Sequence, residues 1–138
     1  MSTSSAVNLP KDYKYTSDHL WISVEGDLVK VGITDYGQAK LGDIVFIELP
    51  SAGERIAANE VLTTIESVKN GSDIQSRFRS PIDGEIMETN DTLEHSPELV
   101  NQDPFKKGWL VIIEPSDSKE LKELLTGNAY ASMIKDSK

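Results

Sequence analysis

The sequence contains no cysteine, and it has no long hydrophobic run. The missing cysteine excludes disulfide bonds, thiolate metal ligands and a cysteine nucleophile. The longest apolar run, Trp109 to Ile113, is far shorter than the stretch that a helix needs to cross a bilayer. We therefore expect no membrane partner.

The first residues, MSTSSAVNLPKDYK, lack the two common kinds of targeting pattern. They have neither the apolar centre of a secretory signal nor the Arg-rich pattern of a transit peptide. The expected location is the bacterial cytoplasm, or the mitochondrial matrix if a transit peptide has been removed.

Positive charge is scarce, with 14 Lys and Arg against 23 Asp and Glu, which gives a net charge of −9. Nucleic acids and anionic membrane surfaces select basic patches, so we expect neither as a partner. The acidic balance has two interpretations. It keeps the protein soluble, or it steers the protein toward basic docking surfaces on partner proteins.

The sequence patterns of common catalytic sites are also missing. The chain has no Gly-rich phosphate loop, no G-x-S-x-G elbow and no HExxH motif. Its two histidines, His19 and His95, are far apart in the sequence, and neither belongs to a ligand-like cluster. We therefore predict no catalytic residues and no metal site, and a protein that is not an enzyme by itself.

Short apolar strands separated by turn signals fill most of the chain and predict a mainly β protein, a small sandwich or flattened barrel. At 138 residues the chain has the length of one domain. We expect a flexible N-terminus over 1–10 and a single domain over 11–138. The C-terminal part, about 117–136, is predicted to form two helices. The first has a capping box of Asp117 and Glu120 and a stop at Gly127, and the second begins at Asn128 and carries Tyr130, Met133 and Ile134.

The stretch IESVKNGSD, residues 65–73, predicts a β-hairpin with a lysine at its tip. The dipeptide Asn-Gly after Lys69 is the strongest short signal for a two-residue type I′ turn. The returning strand is expected from Ser72 to about Ser80. Two interpretations of Lys69 remain open at this point: an ordinary charged residue beside a turn, or an amine presented clear of the fold for acylation as a swinging arm.

Several motifs together resemble the H-protein of the glycine cleavage system, over about Tyr13 to Ile134. These motifs are VGITDYGQAKLGDIVFIELPSAG (31–53), IESVKNGSDI (65–74), SPIDGEIMETND (80–91) and SPELVNQDPFKKGWL (96–110). The resemblance implies a barrel-sandwich hybrid (hammerhead) lipoyl domain with short helices and a C-terminal helical tail. It also implies that lipoate is attached covalently to Lys69, with Glu66, Ser67, Val68 and Asp73 forming its surroundings and the arm cleft.

The same resemblance implies a carrier function and a set of partner enzymes. A lipoate ligase or lipoyltransferase would attach the cofactor. Glycine decarboxylase would load an aminomethyl group on the arm, and an aminomethyltransferase would unload it. Dihydrolipoamide dehydrogenase would then reoxidise the arm, so that catalysis belongs to the partners.

Two features depart from the usual family pattern. Leu20 stands between His19 and Trp21, where the family usually has a glutamate that helps to hold the loaded arm. Pro81 follows Lys69 by twelve positions, which is longer than usual. The extra stretch contains Arg77, Phe78 and Arg79, which form either an innocuous longer strand or an altered partner-docking surface.

These departures leave two alternatives to glycine cleavage. The first is an H-like lipoate-binding protein of bacterial sulfur oxidation, working with a heterodisulfide-reductase-like complex. The second is a non-catalytic interaction module that carries no modification.

Overall fold

The computed structural model describes residues 9, 10 and 12–136, which form two antiparallel sheets and short helices. The six-stranded sheet has the order β1-β2-β3-β9-β8-β5, made of Lys14–Tyr15, Leu20–Glu25, Leu28–Ile33, Val111–Pro115, Gly84–Thr89 and Arg55–Ile56. The three-stranded sheet has the order β4-β6-β7, made of Asp43–Glu48, Val61–Lys69 and Ser72–Arg79. The α-helices are α1 (Asp35–Leu41), α2 (Leu99–Gln102) and α3 (Gly127–Asp136), and 3₁₀ helices cover Asp91–Glu94 and Ser118–Glu123.

The main core lies between the two sheets and explains the alternating sequence pattern. Successive side chains of a strand point to opposite faces, so every second apolar residue is buried. On β3, Val29, Val31 and Ile33 are buried, and on β6 Ile65 joins them. The prediction of a mainly β protein with a C-terminal helix is confirmed. The flexible segment predicted over 1–10 lies, apart from residues 9 and 10, outside the described residues.

The hairpin predicted around the lysine is present with the turn that Asn-Gly favours. Lys69 and Ser72 are the last paired residues of β6 and β7, which leaves Asn70 and Gly71 as a two-residue turn. Both turn residues have positive φ, 54° and 79°, as a type I′ turn requires. The returning strand ends at Arg79, close to the predicted end.

The C-terminal segment differs in detail from the predicted helix. Asp117 does cap a helix, since its carboxylate accepts a hydrogen bond from the Lys119 N–H at 2.9 Å. That helix is a short 3₁₀ segment, and its Glu120 carboxylate accepts from the Asp83 N–H at 3.0 Å instead of completing a capping box. The second helix predicted from Asn128 is present as α3, which begins one residue earlier at Gly127 and buries Tyr130 and Ile134.

Helix α3 is attached to the six-stranded sheet through a second, aromatic cluster. The rings of Tyr15 and Tyr130 stack with their centroids 4.8 Å apart, beside the fully buried Trp21. The Tyr130 hydroxyl lies 2.9 Å from His19 Nδ1 and 2.7 Å from Thr34 Oγ1. Thr34 is the N-cap of α1 and accepts from the Gly37 N–H at 3.0 Å. One hydrogen-bonded chain therefore connects α3 to the first turn of α1.

This connection makes folding stability depend on pH through His19. Burial, and then the positive charge of Lys40, lower the pKa of His19, so the unfolded chain binds this proton more readily than the folded protein. The stability that neutral His19 supplies is present above about pH 6.5 and is lost as the pH falls through the lower folded-state pKa. We expect His19→Asn to reduce the loss of stability between pH 7.5 and 5, measured by urea unfolding.

The exposed His95 provides the matched control, since it lies in the polar loop after the Asp91–Glu94 turn. His95→Asn should keep the pH dependence of the wild type. Equal slopes for the wild type and His19→Asn would contradict the assignment.

Candidate functional site

Lys69 lies at the tip of the β6–β7 hairpin, but its amine is not clear of the fold as the sequence suggested. The half-buried side chain folds back so that Nζ donates to the carbonyls of Ala39 and Lys40, each at 3.2 Å. These carbonyls belong to the last turn of α1, where no further helical N–H is available to them. The helix dipole also favours a positive charge at this end.

Gly42 allows the hairpin tip to approach the end of α1 this closely. A Cβ atom at this position would lie 2.5 Å from the Val68 carbonyl oxygen and 2.8 Å from Lys69 Cβ. The backbone of Gly42 also has φ 86° and ψ −151°, a region that only glycine adopts without strain. Gly42, which follows α1 directly, is thus needed for both the helix end and the position of the lysine.

Asn101, within the SPELVN motif, fixes the same helix end from the other side. Its amide nitrogen donates to the Gly42 carbonyl at 2.8 Å and to Gln38 Oε1 at 2.7 Å. Its amide oxygen accepts from the Ile44 N–H at 3.0 Å. Sequence reasoning did not identify Asn101 as a site residue, and no local pattern distinguishes a residue that joins three separate elements.

A shallow cleft of about 460 Å³ lies on the three-stranded sheet beside the hairpin. Three of the residues predicted to surround the arm meet there: Glu66, Ser67 and Asp73, together with Val45, Ile74 and Gln75. The predicted residue Val68 is half-buried and pairs with Asp73 across the hairpin, outside the lining of the cleft. Ser67 Oγ is buried and has no hydrogen-bond partner among the described residues.

Leu20, the residue that departs from the family pattern, contributes to the core. It is fully buried, pairs with Ile33 on β3 and belongs to the cluster between the sheets. Its side chain therefore offers packing and no polar contact. Two acidic residues of the set predicted around the arm, Asp73 and Glu66, are exposed and line the cleft.

The Arg77-Phe78-Arg79 segment divides between the two faces of its sheet. Phe78 is buried in the core, with 7% of its surface exposed. Its ring is therefore not part of a docking surface, and the prediction of Phe78 as a docking residue is wrong. Alternation along the strand places Arg77 and Arg79 on the opposite, exposed face. Arg79 also donates to the Asn59 carbonyl at 2.9 Å.

The described residues offer neither a metal-binding cluster nor a membrane-spanning helix. No group of three or more His, Cys, Asp or Glu side chains there is arranged to hold a metal ion. No helix in the same part of the chain is long and apolar enough to span a membrane.

Two stacked antiparallel sheets with a lysine at the tip of a tight hairpin define a carrier domain of the barrel-sandwich type. A family profile described as "Glycine cleavage H-protein" matches residues 13–137. The chain belongs to the glycine cleavage H-protein family, whose members are lipoyl carriers and not catalysts.

Individual relatives agree with this assignment over nearly their whole length. The chain is 45% identical to the glycine cleavage system H protein of Bacillus licheniformis over 130 residues, 94% of this chain and 99% of that one. It is 48% identical to that of Bacteroides thetaiotaomicron over 128 residues, 93% and 98% of the two chains. The crystal structure of the H protein from Mycobacterium marinum superimposes with a TM-score of 0.81 at 35% identity, covering 92% of this chain and 99% of that one.

The contact at Gly42 can be tested against the turn at Gly71. Gly42→Ala should lower the free energy of unfolding by on the order of 3 kcal/mol, because the new methyl group meets backbone atoms and the conformation is strained. Gly71→Ala should cost only about 1 kcal/mol, since its Cβ has open space and only the positive φ is unfavourable. Urea unfolding measures both, and equal losses would contradict the proposed close approach.

Proposed function

We propose that Lys69 is the residue to which lipoate is attached in this H-protein. The observation that carries the proposal is the position of Lys69 at the tip of a two-residue hairpin, within the ESVK motif, with an amine bonded only to carbonyls at the surface. No core group has to be displaced when the side chain swings outward. An amide bond between the lipoate carboxyl group and Nζ would release one water in total and remove the positive charge of the lysine.

The surroundings of Nζ fit such an amide. The ammonium has three N–H donors, of which two reach the Ala39 and Lys40 carbonyls, whereas an amide has one N–H. After modification the side chain would satisfy at most one carbonyl and would lose its attraction to the helix dipole. The modified lysine should therefore be held less firmly against α1 than the unmodified one.

We further propose that the cleft on the three-stranded sheet receives the loaded arm. When bound, lipoate supplies a pair of sulfur atoms that carries a substrate fragment between enzymes and is reversibly oxidised. Asp73 would hold a positively charged group on that fragment, and Ser67, whose side chain is buried, would contribute only to the floor of the cleft. Glu66 and Val68 complete these surroundings beside the hairpin.

The partners proposed for this carrier follow from the family. A lipoate ligase or lipoyltransferase would modify Lys69, and glycine decarboxylase, aminomethyltransferase and dihydrolipoamide dehydrogenase would act on the arm. The matched relatives favour glycine cleavage over the sulfur-oxidation alternative. We also propose that 11–138 acts as one carrier domain, with the exposed Arg77 and Arg79 as docking residues.

The attachment site is tested by intact mass after expression with lipoate and a lipoate ligase. The wild type should gain the mass of one lipoyl group. Lys69→Arg, which keeps the charge, should gain none because the guanidinium is not a substrate for amide formation. Lys40→Ala, which removes an exposed neighbouring lysine, should be modified like the wild type. Modification of Lys69→Arg, or an unmodified wild type, would refute the assignment.

The role of Asp73 is tested with lipoylated protein, glycine decarboxylase and isotope-labelled glycine. We expect label to be incorporated into the wild type, and Asp73→Asn to retain it several-fold less well, because one charge-assisted hydrogen bond is weakened. Asp27→Asn, in the exposed turn between β2 and β3, is the matched control and should behave as the wild type. Equal retention in all three proteins would exclude a role for Asp73 in holding the loaded group.

A further inference from the structure

The turn at the hairpin tip contains an asparagine that is followed directly by glycine, Asn70 and Gly71. Each of the other five asparagines of the chain precedes a residue with a side chain. The side-chain amide of an asparagine is attacked by the backbone nitrogen of the next residue, which closes a succinimide ring. Glycine has no side chain to obstruct this approach, so Asn70 is the asparagine most open to ring closure.

The structure leaves the reacting groups of Asn70 and Gly71 without competing contacts. Both residues are exposed, and a Cβ atom on Gly71 would have open space around it. Neither the Asn70 side-chain amide nor the Gly71 N–H makes a hydrogen bond within the part of the chain that the structure describes. The nitrogen that attacks and the amide that it attacks are therefore both accessible at the surface.

Asn59 provides a comparison within the same chain. It is also exposed and also has a positive φ, 74°, but the N–H that follows it, that of Glu60, donates to the Ala57 carbonyl at 3.0 Å. Ring closure at Asn59 would have to break this bond and pass the glutamate side chain. The side-chain amides of Asn90 and Asn101 are held by hydrogen bonds of their own. The hairpin tip combines an exposed asparagine with a free N–H.

Opening of the turn controls how often the two groups of Asn70 and Gly71 meet. In an ideal type I′ turn the first central residue has a ψ of about +30°. This angle holds the Gly71 nitrogen away from the Asn70 side chain, so the closed turn does not react. Opening needs to break only the last pair of the ladder, Lys69 with Ser72, and no buried apolar side chain lies in this turn. Local openings of this kind have a low free energy.

We propose that Asn70 is a site of spontaneous deamidation and that the isoaspartate formed there impairs the hairpin tip. The Gly71 nitrogen loses its proton and bonds to the Asn70 side-chain carbon, and the side-chain nitrogen leaves as ammonia. Water then opens the ring. Opening at the side-chain carbonyl gives aspartate, and opening at the backbone carbonyl gives isoaspartate. One water is consumed and one ammonia is released, with no oxidation or reduction.

The two products differ in their effect on the turn. Aspartate keeps the backbone unchanged, and Asp-Gly fits a type I′ turn as Asn-Gly does. Isoaspartate adds one methylene group to the backbone, so the two-residue turn no longer closes between Lys69 and Ser72. The lysine then loses the position from which its amine reaches the carbonyls of α1. Isoaspartate at this position therefore reduces lipoylation, a consequence that rests on Lys69 as the proposed attachment site.

Incubation of the unmodified wild type for several weeks at mildly alkaline pH tests the reaction itself. Peptide mapping by mass spectrometry should show a gain of about 1 Da at Asn70, where an NH₂ group is replaced by OH. Electron-transfer fragmentation should identify isoaspartate among the products. Deamidation at Asn59 should be at least about tenfold slower, because a side chain obstructs the attack there.

Two variants of the turn serve as controls. Gly71→Ala places a methyl group beside the attacking nitrogen and should slow deamidation of Asn70 several-fold. Asn70→Gly keeps residues that fit a type I′ turn and should gain no mass at the tip. Circular dichroism and urea unfolding check that both variants are folded.

The effect on Lys69 is tested by treating the incubated wild type with lipoate and a lipoate ligase for a limited time. The fraction that remains unlipoylated should be several-fold enriched in isoaspartate at position 70. Asparagine and aspartate should be distributed equally between the two fractions. The fresh variant Asn70→Asp, which has the charge of the product on an unchanged backbone, should be lipoylated at the rate of the wild type.

Three results would overturn the deamidation site. These are a folded wild type that keeps Asn70 intact while the urea-unfolded chain is deamidated, equal rates at Asn70 and Asn59, and aspartate as the only product, since hydrolysis without a ring gives no isoaspartate. Equal isoaspartate contents in the two fractions would overturn the effect on lipoylation. A fresh wild type that is not lipoylated would refute Lys69 as the attachment site and leave the deamidation result unaffected.

Discussion

The contact between the hairpin tip and the C-terminal end of α1 is the constraint on which the site depends. Gly42 has no side chain to separate the helix end from Val68 and Lys69, and Asn101 bonds the same helix end to β4. Because the last-turn carbonyls of α1 face the lysine, the amine has a defined resting position instead of free movement at an exposed turn. The carrier therefore presents its lysine from a rigid base, while the amine itself is bound only at the surface.

The other end of α1 is fixed by a different set of residues. Thr34 caps the helix and shares the Tyr130 hydroxyl with His19, and burial raises the pKa of Tyr130 to about 12. The C-terminal helix is thus connected to the lysine through the length of α1. A seven-residue helix would not be stable alone, so tertiary contacts at both ends supply the order that the site requires.

The long returning strand separates two roles that the chain combines in a small domain. Its inner face completes the core with Phe78, and its outer face and edge carry Asp73, Arg77 and Arg79 in an acidic protein. The ESVK motif lies at one end of this strand, so the residues proposed for lipoate attachment and for partner docking are close without overlapping at Lys69. In a carrier that performs no chemistry itself, such surfaces determine which proteins meet the arm.

The sequence alone determined the local features of this protein. Alternating apolar residues specify half-buried strands, Asn70 and Gly71 specify the type I′ turn, and Thr34 and Gly42 specify the ends of α1, because each depends on interactions within a few residues. The motifs around Lys69 also led to the family. Tertiary structure alone decided that the amine rests on α1, that Asn101 joins α1 to β4, and that Phe78 is core. Local signals also predicted a second C-terminal helix from Asn128, one residue after the start of α3, but its packing on the sheet through Tyr130 was decided by the tertiary structure. These outcomes depend on which segments meet in space, and a pattern of neighbouring residues does not contain that information.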